Sequence, residues 1–230
     1  MCGIVGFAGL RPVDRPLLQR AADALSHRGP DSYGEWLSVD SNVGLAHRRL
    51  AVIDLSPAAH QPMVDNETGN VLVYNGEVYN FQDLRQQLSE FGHTFTSQSD
   101  TEVVLKAYAE WGTDCPAHLE GMFAFAIYDI RRKEFFIARD RVGEKPLFYR
   151  HSASEFAFAS EVRPLLKLEN ISKDISKQNL NYYFNLQYSP SNLTMYEDIK
   201  KIENSSFFEF DIKNKKFEIN KYIIENKQNY

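Results

Sequence analysis

Six short apolar runs dominate the first 160 residues, and they do not alternate regularly with helices. Gly3 to Ala8, Val43 to Ala46, Val71 to Tyr74, Met122 to Asp129, Glu134 to Arg139 and Glu155 to Ser160 are mostly apolar or rich in β-branched and aromatic residues, as strands are. The tetrad Ile130-Arg131-Arg132-Lys133 predicts a polar hairpin loop between two of them. Helical character is confined here to Pro16 to Ser26, Phe81 to Phe91 and Thr101 to Trp111. The last is introduced by Ser99-Asp100-Thr101-Glu102, an S-x-x-E capping box in which Ser99 and Glu102 satisfy exposed amides reciprocally. Several hairpins with two or three helices point to an α+β fold built in layers. A doubly wound parallel sheet needs strand-helix repeats, and neither a GxGxxG nor a GxxxxGK[ST] loop is present, so no nucleotide site is visible.

Of the 230 residues 43% are hydrophobic and 25% charged, enough to bury a real core as one domain with an appendage. A net charge of -5 and the lack of a long basic stripe argue against a nucleic-acid partner. Cys2 and Cys115 are too few for a disulfide framework, and no CxxC or HxxxH pair suggests a metal site. Arg11, Asp14, Arg15, Arg20 and Asp23 break any signal-peptide core, and no apolar run is long enough to span a membrane, so a cytoplasmic protein is expected. All thirteen arginines lie at or before Arg163, whereas ten of the thirteen lysines lie at or after Lys167. That change suggests a domain over residues 1–165 followed by a Lys/Asn-rich tail over 166–230.

The chemistry begins at the second residue. In Met1-Cys2-Gly3-Ile4-Val5-Gly6, removal of Met1 would leave a thiol and a free α-amine in one residue. A thiol near pKa 8.5 is mostly protonated at neutral pH, and an α-amine near 7.7–8.0 is close enough to take its proton and later return it to a leaving amine. Gly3 and Gly6 are read as leaving room for substrate against the backbone. Taken alone, Cys2 also fits a buried structural cysteine. Asn75-Gly76-Glu77 follows a strand-like run and offers an amide, an unobstructed backbone N–H and a carboxylate; Asn75 and Gly76 suit an oxyanion site, yet Asn-Gly equally signals a type I′ hairpin turn. Arg49 could grip a carboxylate with its two-pronged guanidinium or form a surface ion pair. His27-Arg28-Gly29-Pro30-Asp31 reads locally as a turn after a helix, and Asp100 as a helix cap or a partner for an ammonium group.

These segments, with His47-Arg48-Arg49-Leu50, Gly121-Met122-Phe123-Ala124-Phe125 and Arg139-Asp140-Arg141-Val142-Gly143-Glu144-Lys145-Pro146-Leu147, stand in the order found in class II glutamine amidotransferases. The chain resembles the glutaminase domain of glutamine-hydrolysing asparagine synthases, most densely over residues 2–165. His-Arg-Gly-Pro-Asp is similar to that branch, where glucosamine-phosphate synthases usually carry Tyr-Arg-Gly-Tyr-Asp. The resemblance implies an N-terminal-nucleophile fold, two antiparallel sheets between helical layers. It implies Cys2 as nucleophile, Asn75 and Gly76 as oxyanion hole, and Arg49, Leu50, Val52, Glu77 and Asp100 as the glutamine-binding positions. No cofactor is expected for glutamine hydrolysis. ATP and Mg²⁺ are expected only in an ATP-dependent synthetase domain or subunit, the implied partner. Residues 185–202 resemble the lead-in to that domain, but Lys201-Ile202-Glu203-Asn204-Ser205-Ser206 replaces a Pro-Gly-His-rich turn, and no Ser-Gly-Gly-x-Asp-Ser pyrophosphate loop occurs before Tyr230. The reading therefore expects a fragment, a truncated product or a separate ammonia-delivering subunit, with Tyr182, Phe184, Phe207 and Phe208 exposed toward a partner. A catalytically silent interaction subunit is the alternative.

Overall fold

The tetrad 130–133 is a hairpin loop, and the sheet around it organises the chain. In the computed structural model, which describes residues 1–9, 12–153, 155–168, 171–190 and 192–222, two six-stranded sheets face one another. The first contains β1 (Gly3–Gly9), β2 (Ser32–Leu37), β3 (Val43–Arg49), β8 (Phe148–His151), β9 (Glu155–Ala159) and β10 (Lys200–Lys201), in the order β10-β8-β9-β1-β3-β2. The second contains β4 (Met63–Val64), β5 (Val71–Val78), β6 (Gly121–Asp129), β7 (Glu134–Arg139), β11 (Ser206–Asp211) and β12 (Lys216–Lys221), in the order β12-β11-β7-β6-β5-β4. All the strand pairings are antiparallel.

Both faces of each sheet are covered, which explains why the strands read as apolar runs without polar alternation. Along β6, Ala124 and Ala126 pack between the sheets with Ile4, Leu45, Val73 and Phe158. Their neighbours Phe123, Phe125 and Ile127 pack the opposite way, against Leu84 and Leu88 of α2 (Phe81–Glu90) and Val103 and Ala107 of α3 (Asp100–Trp111). On the far side of the first sheet, Val5 and Phe7 meet Leu18 and Ala22 of α1 (Arg15–Asp23). The result is an α+β sandwich of four layers, helices on sheet on sheet on helices. No helix among the described residues is long and apolar enough to cross a membrane.

The chain beyond residue 165 does not stand apart from these layers. β10 pairs with β8, and β11 pairs with β7 through Phe207 opposite Ala138 and Phe208 opposite Ile137. Phe208 and Phe210 are buried in the inter-sheet core, where a fully buried phenylalanine contributes ~1.5–3 kcal/mol. Phe208 is thus not a surface residue, and Phe207 packs its ring 5.3 Å from that of Phe136. Tyr182 and Phe184, on α4 (Lys177–Leu186), are exposed.

Only half of the expected capping box is made. Ser99 Oγ accepts from the Glu102 N–H at 3.4 Å, but the Glu102 carboxylate turns to the N–H groups of Thr96 (2.8 Å) and Ser97 (2.7 Å), tying down the chain that enters α3. Gly3 and Gly6 also serve packing and not substrate approach: a methyl group on either would strike Leu25 or the pair Phe158 and Leu45.

Candidate active site

Three strands bring their ends together at one rim of the inter-sheet gap. With Gly3 opposite Arg48 and Ile4 opposite His47, the β1–β3 register sets Cys2 across from Arg49. Side chains alternate along a strand, so His47 and Arg49 share the inward face of Leu45, and Asn75 and Glu77 share the inward face of Val71 and Val73. Arg49, Asn75 and Glu77 border a single cavity of about 160 Å³. Cys2, Arg49, Leu50 and Val52 line it from the first sheet and the loop that follows β3. Asn75, Gly76 and Glu77 line it from β5, and Asp100 from the first turn of α3. Every site position read from the sequence therefore lies on this cavity.

The Cys2 thiol is held by main chain. Leu50 N–H points to Sγ at 3.4 Å, and Sγ lies 3.6 Å from the Leu50 carbonyl oxygen. Arg28 Nε donates to the Cys2 carbonyl at 2.9 Å while its Nη1 pairs with Glu161 at 3.0 Å, so the turn after α1 is a clamp on residue 2 and not a solvated loop. Burial pushes the Cys2 thiol up; the Leu50 N–H, the N-terminal ammonium and Arg49 oppose that only in part, and Asp100 adds to it. Such a thiol stays protonated near neutrality and needs a base.

The type I′ turn that Asn75-Gly76 suggests is not formed. β5 continues to Val78, with Asn75 opposite Ala124 and Gly76 opposite Phe123 in an unbroken ladder with β6. A Cβ on Gly76 would lie 2.5 Å from the Met122 carbonyl oxygen, so close strand packing demands the glycine. On its other edge β5 is covered by β4 only at Val71 and Leu72. Farther along that edge, Tyr74 N–H donates to Gln61 Oε1 at 2.6 Å and Val78 N–H donates to Asp100 Oδ2 at 3.0 Å. Alternate residues of a strand direct their N–H groups to the same edge, so Gly76, between them, presents its N–H there too. Beside it, Asn75 Nδ2 is buried without a hydrogen-bond partner. Two unspent donors thus meet at the cavity wall.

Charged groups frame the rest. Asp100 Oδ2 also accepts from the Tyr74 hydroxyl at 2.6 Å. Burial pushes the Asp100 carboxyl up, the bonds from Tyr74, Val78 and Thr101 oppose it, and Glu77 adds a like-charge push upward. Glu77 is half-buried, and Val52 stands at the rim, 68% exposed. Arg49 is buried, and its guanidinium already donates to the carbonyls of Ser56 (3.3 Å) and Asp54, bracing the loop that carries Val52.

Three residues of this neighbourhood escaped the sequence reading of individual roles. Gln61 holds Tyr74; the buried His47 bridges the sheets through Nε2 to the Tyr74 carbonyl at 3.1 Å; Lys145 enters the cavity from the loop after β7. Burial pulls the His47 imidazole down to about 3, so it is neutral at physiological pH. Lys145 sits within the Arg139 to Leu147 motif, whose pattern assigns it no role by itself. Cys115 lies fully buried in the helix-side core, where burial pushes its thiol far up.

Comparison with known proteins places the sequence and the fold. Asparagine synthetase [glutamine-hydrolyzing] 3 of Bacillus subtilis (strain 168) is 40% identical over 208 residues, 88% of this chain and 33% of that protein. A putative asparagine synthetase [glutamine-hydrolyzing] 2 of Methanocaldococcus jannaschii is 36% identical, spanning 96% of this chain and 46% of that one. The chain thus spans a third to a half of the length of these relatives. In fold, it superposes on the glutamine phosphoribosylpyrophosphate amidotransferase of B. subtilis with a TM-score of 0.71 at 18% identity, over 97% of this chain and 50% of that one. The profile of the glutamine amidotransferase domain family matches residues 1–223, across the compositional change near 165 and through the strands that follow it. The chain belongs to the class II glutamine amidotransferase domain family, as it occurs in enzymes of the asparagine synthase type.

Proposed function

We propose that this chain hydrolyses glutamine to glutamate and ammonia at Cys2. The observation that carries the reading is the meeting, in one cavity, of the residue-2 thiol with the unpartnered Asn75 amide and the open-edge Gly76 N–H. With Met1 removed, the Cys2 α-amine takes the thiol proton and Sγ attacks the side-chain amide carbon of glutamine. The oxygen that gains negative charge is received by Asn75 Nδ2 and Gly76 N–H, each donor commonly worth ~3–4 kcal/mol of barrier. Collapse breaks the C–N bond, and the α-ammonium returns its proton to the leaving ammonia. Water then attacks the thioester with the same amine as base, releasing glutamate and the thiol. Arg49 receives the substrate carboxylate, Glu77 and Asp100 its ammonium group, and Leu50 and Val52 shape the loop above them.

None of these steps calls for a cofactor. The ammonia is intended for an ATP-dependent amidation of the asparagine synthase kind, where ATP and Mg²⁺ would act in a synthetase segment of the same polypeptide or of a partner. The cavity's charges match the two ends of an amino acid, which favours turnover over a silent docking role. Purified protein beginning at Cys2, verified by intact mass, should release glutamate from glutamine without ATP, and Cys2→Ala should abolish it. Equal glutamate release by Cys2→Ala would reject the reading, and a wild type that releases none would favour the silent subunit.

A further inference from the structure

The loop between β7 and β8 is locked from two sides. Asp140, wholly buried, accepts at Oδ1 from the N–H groups of Val142 (3.2 Å), Gly143 (2.6 Å) and Glu144 (2.9 Å), and at Oδ2 from those of Phe123 (3.2 Å) and Lys145 (2.9 Å). Arg139 closes it from the other side, donating to the carbonyls of Gly143, Lys145 and Ile202. Behind it, the Asn204 amide and Ser205 hydroxyl donate to the Arg141 carbonyl, and the Tyr222 hydroxyl to that of Arg139. From this frame Lys145 enters the cavity. The residue is 7% exposed, and among the described residues its ammonium makes one polar contact, 3.6 Å to the Met1 thioether, with no carboxylate in ion-pair range. A buried cation without a counter-ion destabilises a fold, so stability does not account for it.

We propose that Lys145 is the cation that keeps the α-amine of Cys2 in its free-base form, ready for the thiol proton. The inference rests on Cys2 acting as an amino-terminal nucleophile. Met1 is the residue whose departure exposes that amine, and its thioether occupies the space between Lys145 and Arg28, 4.0 Å from the latter. Two further cations and several acids lie nearby. Arg28 is matched by Glu161, and Arg49 is engaged by the loop carbonyls. Asp54 is held by the N–H groups of Ser56 and Gln98, Asp140 by its five amides, and Glu144 is exposed. Glu77, Asp100 and the hydroxyl of Tyr74 face the cavity from β5 and α3, where the two acids would meet the substrate ammonium. Among the described residues Lys145 is a cation of this cavity with neither a carboxylate nor a carbonyl partner. A cation beside an amine disfavours its protonation. For a cation several ångströms away, at an effective dielectric between about 20 and 80, that downward displacement is on the order of one pH unit.

The test uses protein beginning at Cys2 and the variants Lys145→Met, Lys145→Gln and Lys145→Arg. Two pH profiles are recorded: kcat/KM for glutamate release, and the rate of Cys2 alkylation by iodoacetamide without glutamine. In the Met and Gln variants the acid limb of both should move to higher pH by on the order of one unit, converging with wild type in alkali, whereas the Arg variant keeps the wild-type limb. The position of the limb does not depend on the fraction of folded protein, so a less stable variant still answers. Superimposable limbs for wild type and Lys145→Met, or an Arg variant displaced like Met, would overturn the proposal. If wild type releases no glutamate but the alkylation limb moves as stated, glutamine hydrolysis fails and the role of Lys145 toward the thiol–amine pair stands.

Discussion

Asn75→Ala should separate rate from stability. Asn75 Nδ2 is buried with no partner, and an unpaired buried amide group costs ~1–3 kcal/mol relative to its hydrated state. Truncation removes that burden, and the atoms lost border an existing cavity and not a packed core. The variant should therefore be as stable as wild type, or more stable by up to ~2 kcal/mol. For a chain of this length 1 kcal/mol corresponds to about 2–4 °C in Tm, so the melting point should hold or rise by up to about 8 °C. Hydrolysis should fare differently, because the same N–H meets an oxyanion only in the transition state: kcat should fall ~100–1,000-fold with little change in KM. Asn75→Asp, which sets a negative charge against the developing oxyanion, should lose at least as much. Glutamate release against glutamine concentration gives kcat and KM, and thermal melts give stability. A kcat within about twofold of wild type together with a Tm lowered by more than about 4 °C would refute the reasoning and make Asn75 a structural residue.

Arg49→Lys should raise KM for glutamine at least ~10-fold, since an ammonium cannot reproduce the planar two-point grip, and should lower Tm because the bonds to the Asp54 and Ser56 carbonyls are lost as well; an unchanged KM would leave Arg49 a loop brace. Cys115→Ala should keep full activity and lose about 1 kcal/mol of stability, as its thiol is sealed in the helix-side core, and an inactive, folded variant would contradict the assignment of the nucleophile to Cys2. His47 titrates at about 3 in the folded chain against 6.5 ordinarily, so the unfolded chain takes up the proton first: its share of stability is complete above about pH 6.5 and is lost as pH falls toward 3, roughly 2 kcal/mol by pH 5. Urea unfolding at neutral pH and near pH 5 should show that loss in wild type and lack it in His47→Gln; equal pH dependence in the two would show that His47 is not the group responsible.

Strands buried on both faces were legible because they must be apolar at every position, and Met122 to Asp129 is such a run. β2, which reads Ser-Tyr-Gly-Glu-Trp-Leu, was not, since it lies at a sheet edge with every residue only partly buried and carries no continuous apolar signal. β5 was cut short at Tyr74 because Asn-Gly has a strong local preference for a turn; pairing with β6 along its whole length overrides that preference. The change from arginine to lysine near 165 is real in composition and has no counterpart in the layers, because hydrogen-bond ladders respond to backbone pairing and not to the kind of cation on the surface. At the candidate site, Cys2 and Asn75-Gly76 taken locally fit a structural cysteine and a turn as well, and only the ordered set of motifs along the chain singled them out. His47, Gln61 and Lys145 act through partners far away in the chain, and no local spacing announces those contacts.

The same contrast explains where the fold tolerates unfavourable groups. An unbonded buried amide at Asn75, a thiol and a carboxyl pushed upward at Cys2 and Asp100, and an unmatched ammonium at Lys145 all converge on one cavity of about 160 Å³. Each is held by a backbone that cannot relax to relieve it. The strand bearing Asn75 is fixed by β6, by Gln61 and by His47; Asp100 opens a helix whose entry is tied by Glu102; Lys145 leaves a loop spanned by Arg139 and Asp140. A site able to relax would turn the Asn75 amide to a carbonyl or bring a carboxylate to Lys145, and both groups would be satisfied before substrate arrived. On the proposed reaction, rigidity keeps the Asn75 donor free for the oxygen of glutamine that gains charge and the Lys145 cation free to act on the Cys2 amine, and this is the sense in which two sheets far from any bond that breaks would take part in the chemistry.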